Sequence, residues 1–224
     1  MPRHPSTRSA SDTVVVFSGG GKPLPRALAA VPTGAVVVAA DSGAGHAHAL
    51  GLRVDVAVGD FDSISSAALE AVERSGARVE RHPRDKDATD LELALDVALG
   101  FEPRRILVLG GAGGRLDHLL GELLLLASEP YAAVEIDAHL GRAAVHVVRR
   151  ERKLSGRPGE LISLFAVHGA ATGVVTEGLV YPLRGEELVP GSSRGVSNLF
   201  AGPLARVSLG AGVVLAVRPN STAS

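Results

Sequence analysis

The chain has 224 residues, with 23 basic and 24 acidic side chains and a net charge of -1. That is one large domain or two small ones, without the positive surplus that generic nucleic-acid or polybasic membrane binding requires. There is no cysteine and no Trp, which excludes disulfides, thiolate nucleophiles, zinc–thiolate sites and iron–sulfur clusters and makes base-stacking platforms scarce.

From the N-terminus, residues 2–12 carry Arg but no apolar run before a small-residue cleavage site. They read as a disordered tail, not a secretory signal. No apolar run approaches the roughly 18 residues of a membrane span, so a cytoplasmic protein without a membrane partner is expected. Short β-branched runs then follow: Val14 to Phe17, Ala35 to Ala40, Val54 to Val58, and Ile106 to Leu109. Each ends in Gly, Ser or Asp and reads as a buried strand. Helical patterns lie between them. Ala88 to Leu99 is the clearest, with Thr89 and Glu92 as a capping box and Leu91, Ala94, Leu95 and Ala98 on one face. Gly100 and Pro103 stop it. Strands alternating with helices predict an α/β unit with a doubly wound, mostly parallel sheet over 13–142. Residues 151–160 are charged and broken by Gly156, Pro158 and Gly159, which suits a linker or exposed turn. Beyond them, Leu161 to Val167, Val174 to Thr176, Leu179 to Tyr181, Ala205 to Leu209 and Val213 to Val217 are closely punctuated by glycine. A small all-β sandwich over 150–218 is predicted.

Nine of the eleven aspartates lie between Asp41 and Asp117. Most follow a predicted strand or open a predicted helix, and open α/β sheets bind ligands outside the carboxyl ends of their strands. Asp41, Asp60, Asp62, the group Asp85, Asp87 and Asp90, and Asp117 are therefore candidates for one crevice. Like charges a few ångströms apart repel, and a hard divalent cation such as Mg²⁺ removes that cost. Lys86 and Arg115 stand beside the acids and suit phosphate oxygens. Acids, a metal and two cations together describe phosphoryl transfer. The plainer alternative is that single aspartates at strand ends form turns and caps. The glycine loops carry less. Gly19-Gly20-Gly21-Lys22 is followed by Pro23 and lacks the Ser or Thr of a Walker A loop, and Leu116 interrupts a dinucleotide fingerprint at Gly110 to Gly114.

Taken together, these stretches resemble the thiamine pyrophosphokinase family. The matching residues are Ala40-Asp41-Ser42-Gly43-Ala44, Gly59-Asp60-Phe61-Asp62-Ser63-Ile64, Lys86-Asp87-Ala88-Thr89-Asp90-Leu91-Glu92 and Gly114-Arg115-Leu116-Asp117-His118. Gly178 to Leu183 and Gly195-Val196-Ser197-Asn198 follow in order. The resemblance implies an ATP-binding α/β domain, a thiamine-binding β-sandwich and a homodimer that transfers pyrophosphate from ATP to the thiamine hydroxyl. It places Asp60, Asp62 and Asp90 at the metal and phosphate centre. Lys86, Asp87, Asp41, Arg115 and Asp117 accompany them, and Ser42, Thr89 and Gly114 belong to the same binding motifs. Ser197 and Asn198 are expected to face the thiamine pyrimidine, with Tyr181, Phe165 and Phe200 as stacking candidates. Ser42 and Gly45 stand where the family often has Gly and Asn, and Val196 where it often has Thr. A pyrophosphokinase for another alcohol such as a hydroxymethylpterin, a nucleotide-binding sensor without turnover, and a scaffold with capping acids are the competing readings.

Overall fold

The computed structural model describes residues 12–111 and 115–221. Residues 2–11 of the expected tail, and the candidate Gly114, lie outside the described residues. The chain divides into two compact units, residues 1–110 and 111–224.

The first unit holds five strands, β1 (Thr13–Phe17), β2 (Val36–Ala40), β3 (Val56–Gly59), β4 (Arg78–Arg81) and β5 (Arg105–Gly110). They lie in the order β5-β1-β2-β3-β4, and every pair is parallel. β1, β2, β3 and β5 are almost continuously apolar because both sheet faces are covered. Val15, Phe17, Val37, Ala39, Ala57, Leu107 and Leu109 share one face with Ala44 and Ala47 of α1 (Gly43–Ala49) and Leu69 and Val72 of α2 (Ser66–Arg74). Residues one step along, such as Val14, Val16 and Val38, are equally buried and point to the other face, where α3 (Asp90–Leu99) packs over β1, β2 and β3. The four apolar α3 positions named from periodicity are all buried. β4 gave no apolar signal, since its sequence is Arg-Val-Glu-Arg. It pairs only with β3 in this unit, and an edge strand tolerates charge.

The second unit opens with α4 (Leu116–Leu126). Arg149 caps the end of α4, donating to the carbonyls of Ala127 and Ser128 at 2.7 Å each. One sheet comprises β6 (Glu135–Leu140), β7 (Ala143–Val148), β9 (Leu161–Ala166), β12 (Asn198–Leu199) and β14 (Val214–Arg218); the other comprises β8 (Glu151–Ser155), β10 (Ala171–Glu177), β11 (Arg184–Leu188) and β13 (Leu204–Ser208). The first runs β12-β9-β14-β7-β6 and the second β11-β10-β13-β8, antiparallel throughout. Leu154, Ile162, Leu164, Val174, Leu188, Phe200 and Val207 form the core between them. Arg152 of β8 joins the sheets through Asp137 of β6 at 2.7 Å, and His146 of β7 meets the same carboxylate at 2.7 Å.

Two sequence expectations fail here. Residues 151–155 form a strand, not a linker: β8 is an edge strand with Leu154 buried, Arg152 turned inward to Asp137, and Glu151 and Lys153 exposed. Residues 179–181 form no strand; Leu179 makes one isolated bridge to Phe200, and Pro182 has no N–H to continue a ladder. The class itself, a doubly wound parallel α/β unit followed by a small β-sandwich, is the expected one.

Candidate active site

The acidic motifs of the first unit sit where β2 and β3 end. Asp41 follows β2 at φ 44°, and Phe61 follows Gly59-Asp60 at φ 60°. Both are left-handed conformations that cost a non-glycine residue energy and are concentrated at functional sites. The turn after β2 also demands Gly43, where a Cβ would lie 2.5 Å from the Phe17 carbonyl oxygen. Gly59, at φ 150°, has the same role at the end of β3. A Cβ there would press on Asp90 Oδ1 at 3.1 Å and the Asp41 nitrogen at 3.2 Å.

These turns bring carboxylate oxygens of Asp41, Asp60 and Asp62 within 4.8 Å of one another. Asp41 is 7% exposed, and its Oδ1 is buried with no hydrogen-bond partner among the described residues. Burial pushes its carboxyl up, and the charges of Asp90 and Asp60 add to the effect. Asp60 Oδ1 accepts from the Asp62 N–H at 3.1 Å, which, with Lys86 nearby, holds its carboxyl below the ordinary carboxylate range. Ser63 Oγ donates to Asp62 Oδ1 at 2.8 Å.

Asp90 takes another place in the geometry. Lys86 Nζ lies 3.1 Å from Asp90 Oδ1 and 3.5 Å from Asp60 Oδ2. Burial opposes the charge on Lys86, but the bond and charge of Asp90 and the charge of Asp60 outweigh it and raise its pKa. Thr89 Oγ1 accepts from the Glu92 N–H at 3.2 Å, capping α3. Ser42 Oγ accepts from the Gly20 N–H at 3.2 Å, tying the first glycine loop to the Asp41 turn. Asp87 is exposed on the loop before α3. Arg84 was not anticipated from sequence; its Nε stands 3.4 Å from Asp62 Oδ2. The only sequence signal for it was a basic residue beside the acidic group at 85–90.

The other candidates belong to the second unit. Arg115 and Asp117 are both exposed and pair with each other, Nε to Oδ1 at 3.2 Å. The guanidinium holds the Asp117 carboxyl down at about 2. Ser197 and Asn198 line a cavity of about 410 Å³ together with Tyr181, Leu183 and the segment 192–196. Ser197 is exposed at φ 58°, and its N–H donates to Ser163 Oγ at 3.0 Å. Arg194 on the cavity wall is paired with Glu186 at 2.7 and 2.8 Å. Of the three aromatic candidates, Phe200 is 1% exposed in the sandwich core, Phe165 lies outside the cavity lining, and Tyr181 is in it.

Comparison with known proteins matches both halves of the chain to one family. The family model for the thiamin pyrophosphokinase catalytic domain matches residues 30–136, and that for the thiamin pyrophosphokinase vitamin B1 binding domain matches residues 145–214. The chain belongs to the thiamin pyrophosphokinase family. A thiamine pyrophosphokinase of Bacillus subtilis is 44% identical over 70 residues, 31% of this chain and 33% of that protein. Thiamine pyrophosphokinase 1 of Oryza sativa is 26% identical over 168 residues, 70% of this chain and 62% of that one. These alignments thus span less than two thirds of the relatives' length. The crystal structure of Bacillus subtilis thiamine pyrophosphokinase superposes with a TM-score of 0.82 at 25% identity, covering 93% of this chain and 99% of that one. The yeast thiamin pyrophosphokinase, at 16% identity and a TM-score of 0.68 over 96% and 87% of the two chains, shares the fold.

Proposed function

We propose that this family member transfers pyrophosphate from ATP to the hydroxyl of thiamine, giving thiamine diphosphate and AMP. The observation that carries the reading is the group Asp41, Asp60 and Asp62 beside the Lys86–Asp90 pair, in a chain matched by both family domains. Residues 13–142 are the proposed ATP-binding catalytic domain and residues 150–218 the proposed thiamine-binding domain.

The donor set suits Mg²⁺. It is all carboxylate, which a hard cation prefers, and Asp41 Oδ1 is a buried acceptor that no described group satisfies. Asp60 and Asp62, with Asp41, would hold the ion, and Asp90 completes the acidic centre by fixing Lys86. Mg²⁺, when bound, supplies charge neutralisation along the phosphates.

The chain's own residues do the rest. Lys86, held charged by two carboxylates, binds phosphate oxygens that the acids alone would repel. Arg84 adds a second cation on the same side as Asp62. The attack on the β-phosphorus is limited by charge and alignment, so fixed positions for phosphate and hydroxyl supply most of the acceleration. A carboxylate of the centre accepts the hydroxyl proton. Arg115 and Asp117, Asp87, Thr89, Ser42 and Gly114 are proposed companions of the nucleotide. Ser197 and Tyr181 are proposed to meet the thiamine rings, the Tyr181 ring offering a π face to an aromatic cation.

The reading includes a cytoplasmic homodimer. Among the described residues no helix is long and apolar enough to cross a membrane. Leu116, Leu120 and Leu124 form an exposed stripe on α4 of the kind a second copy covers.

AMP release from ATP and Mg²⁺ with a panel of alcohols tests the proposal. Release is expected with thiamine, together with thiamine diphosphate. Release with a hydroxymethylpterin alone, or with none of the panel, overturns it.

A further inference from the structure

Tyr181 stands at the cavity with 58% of its surface exposed, in a stretch that has no ladder of its own. Val180 N–H reaches the Leu199 carbonyl at 2.9 Å. Pro182 then ends any chance of regular pairing, because it carries no donor. The next peptide is held by a side chain. Asn198 Oδ1 accepts from the Tyr181 N–H at 3.0 Å, and Asn198 Nδ2 donates to the Tyr181 carbonyl at 2.7 Å. The same Oδ1 accepts from the Leu199 N–H at 2.9 Å. A primary amide has two acceptor positions and two donor hydrogens. Both acceptor positions and one hydrogen of Asn198 are therefore spent on main chain, and the residue is only 3% exposed.

We infer that Asn198 is a positioning residue and not a ligand contact: its amide clips the backbone of Tyr181 to β12 as a strand neighbour would, and so presents the Tyr181 ring to the cavity. The inference deepens the proposed function, since it rests on the cavity being the thiamine site. It reassigns the polar partner expected for the pyrimidine from Asn198 to the exposed neighbours Ser197 and Ser193.

The chain reports on this directly. It has no Trp and two tyrosines, of which Tyr131 is 2% exposed and Tyr181 58%, so collisional quenching of tyrosine emission by acrylamide follows Tyr181. In the ligand-free full chain, Asn198→Ala is expected to raise quenching and lower emission anisotropy, while Ser197→Ala leaves both at parental values. A ligand contact would not move either readout before ligand is added. Thiamine affinity by calorimetry supplies the second arm. Asn198→Ala and Tyr181→Leu are each expected to weaken binding about tenfold, and the double variant to bind as weakly as Tyr181→Leu alone, because the clip acts only through the ring. Unchanged quenching in Asn198→Ala, or losses that multiply in the double variant, overturns the inference. If Asn198→Ala does not fold, Asn198→Asp keeps the acceptor, loses the donor to the Tyr181 carbonyl and is read the same way. If the parent chain binds no thiamine, the functional reading fails, and the ligand-free fluorescence still decides the role of Asn198.

Discussion

Asp62 is the residue at which chemistry and folding separate most cleanly. Its carboxylate is partly exposed, and its contacts are Ser63 Oγ and Arg84 Nε, neither of which belongs to the core. Asp62→Asn keeps the shape and removes one charge from the three-carboxylate group. Turnover is expected to fall by at least about a hundredfold, with the melting temperature close to the parent's. Parental activity at limiting Mg²⁺ would overturn the place of Asp62 in the centre. Asp96→Asn, on an exposed α3 position, removes a charge of the same kind and is expected to leave kcat near the parental value. The acidic motifs were legible because turn-forming acids at strand ends have few plain explanations when so many accumulate. The partition among them was not. Asp41, which the sequence offered as a companion, lies with Asp60 and Asp62, and Asp90 faces Lys86. That division depends on left-handed turns at Asp41 and Phe61, which no residue type at those positions announces.

At the scale of elements, the α3 start was the most readable feature, since a capping threonine and a buried stripe specify one register. Thr89→Ala removes the acceptor for the Glu92 N–H and is expected to cost about 1 kcal/mol in denaturant unfolding. A larger loss in activity than in stability would follow if the cap also sets Lys86 and Asp90. β4, β8 and β11 were invisible for one reason. Each carries charge on its exposed side and is an edge strand, which needs little apolar sequence to stay paired. α4 adds a pH dependence that no sequence pattern suggested. Burial pushes Glu122 up to about 7 from its ordinary 4.5. A carboxyl raised on folding contributes stability that is fully present below the unfolded value. That contribution is lost as pH rises through about 7. Glu122→Gln stays neutral throughout, so its melting temperature is expected to exceed the parent's at pH 8 and to coincide with it at pH 4. A gap that does not change with pH would show that Glu122 titrates normally.

For the whole molecule, the change in hydrophobic period along the chain suggests two units with a boundary near residues 142–150, whereas the compact units of the structure divide at 110/111. Long buried runs alternate with helices in the first half, and short glycine-punctuated strands fill the second. What composition could not supply is which surface the proposed dimer would use. The exposed apolar residues of α4 are the candidate. Leu116, Leu120 and Leu124 are 79%, 57% and 37% exposed, and their spacing of four puts them on one face of the helix. Gly121 lies beside them, and among the described residues nothing beyond its own turn of the helix comes within 4 Å of the Cβ it lacks, so a partner backbone can approach closely there. A self-complementary stripe of this kind fits a two-fold interface, in which the same patch serves both chains. Leu120→Glu places a charge at the centre of that patch at a position already exposed in the single chain. It is therefore expected to weaken association without lowering the stability of the fold. Sedimentation should show the parent at dimer mass and the variant shifted toward monomer at micromolar concentration, with unchanged far-ultraviolet circular dichroism. If the parent sediments as a dimer and the variant does so equally tightly, the α4 stripe is not the contact between chains.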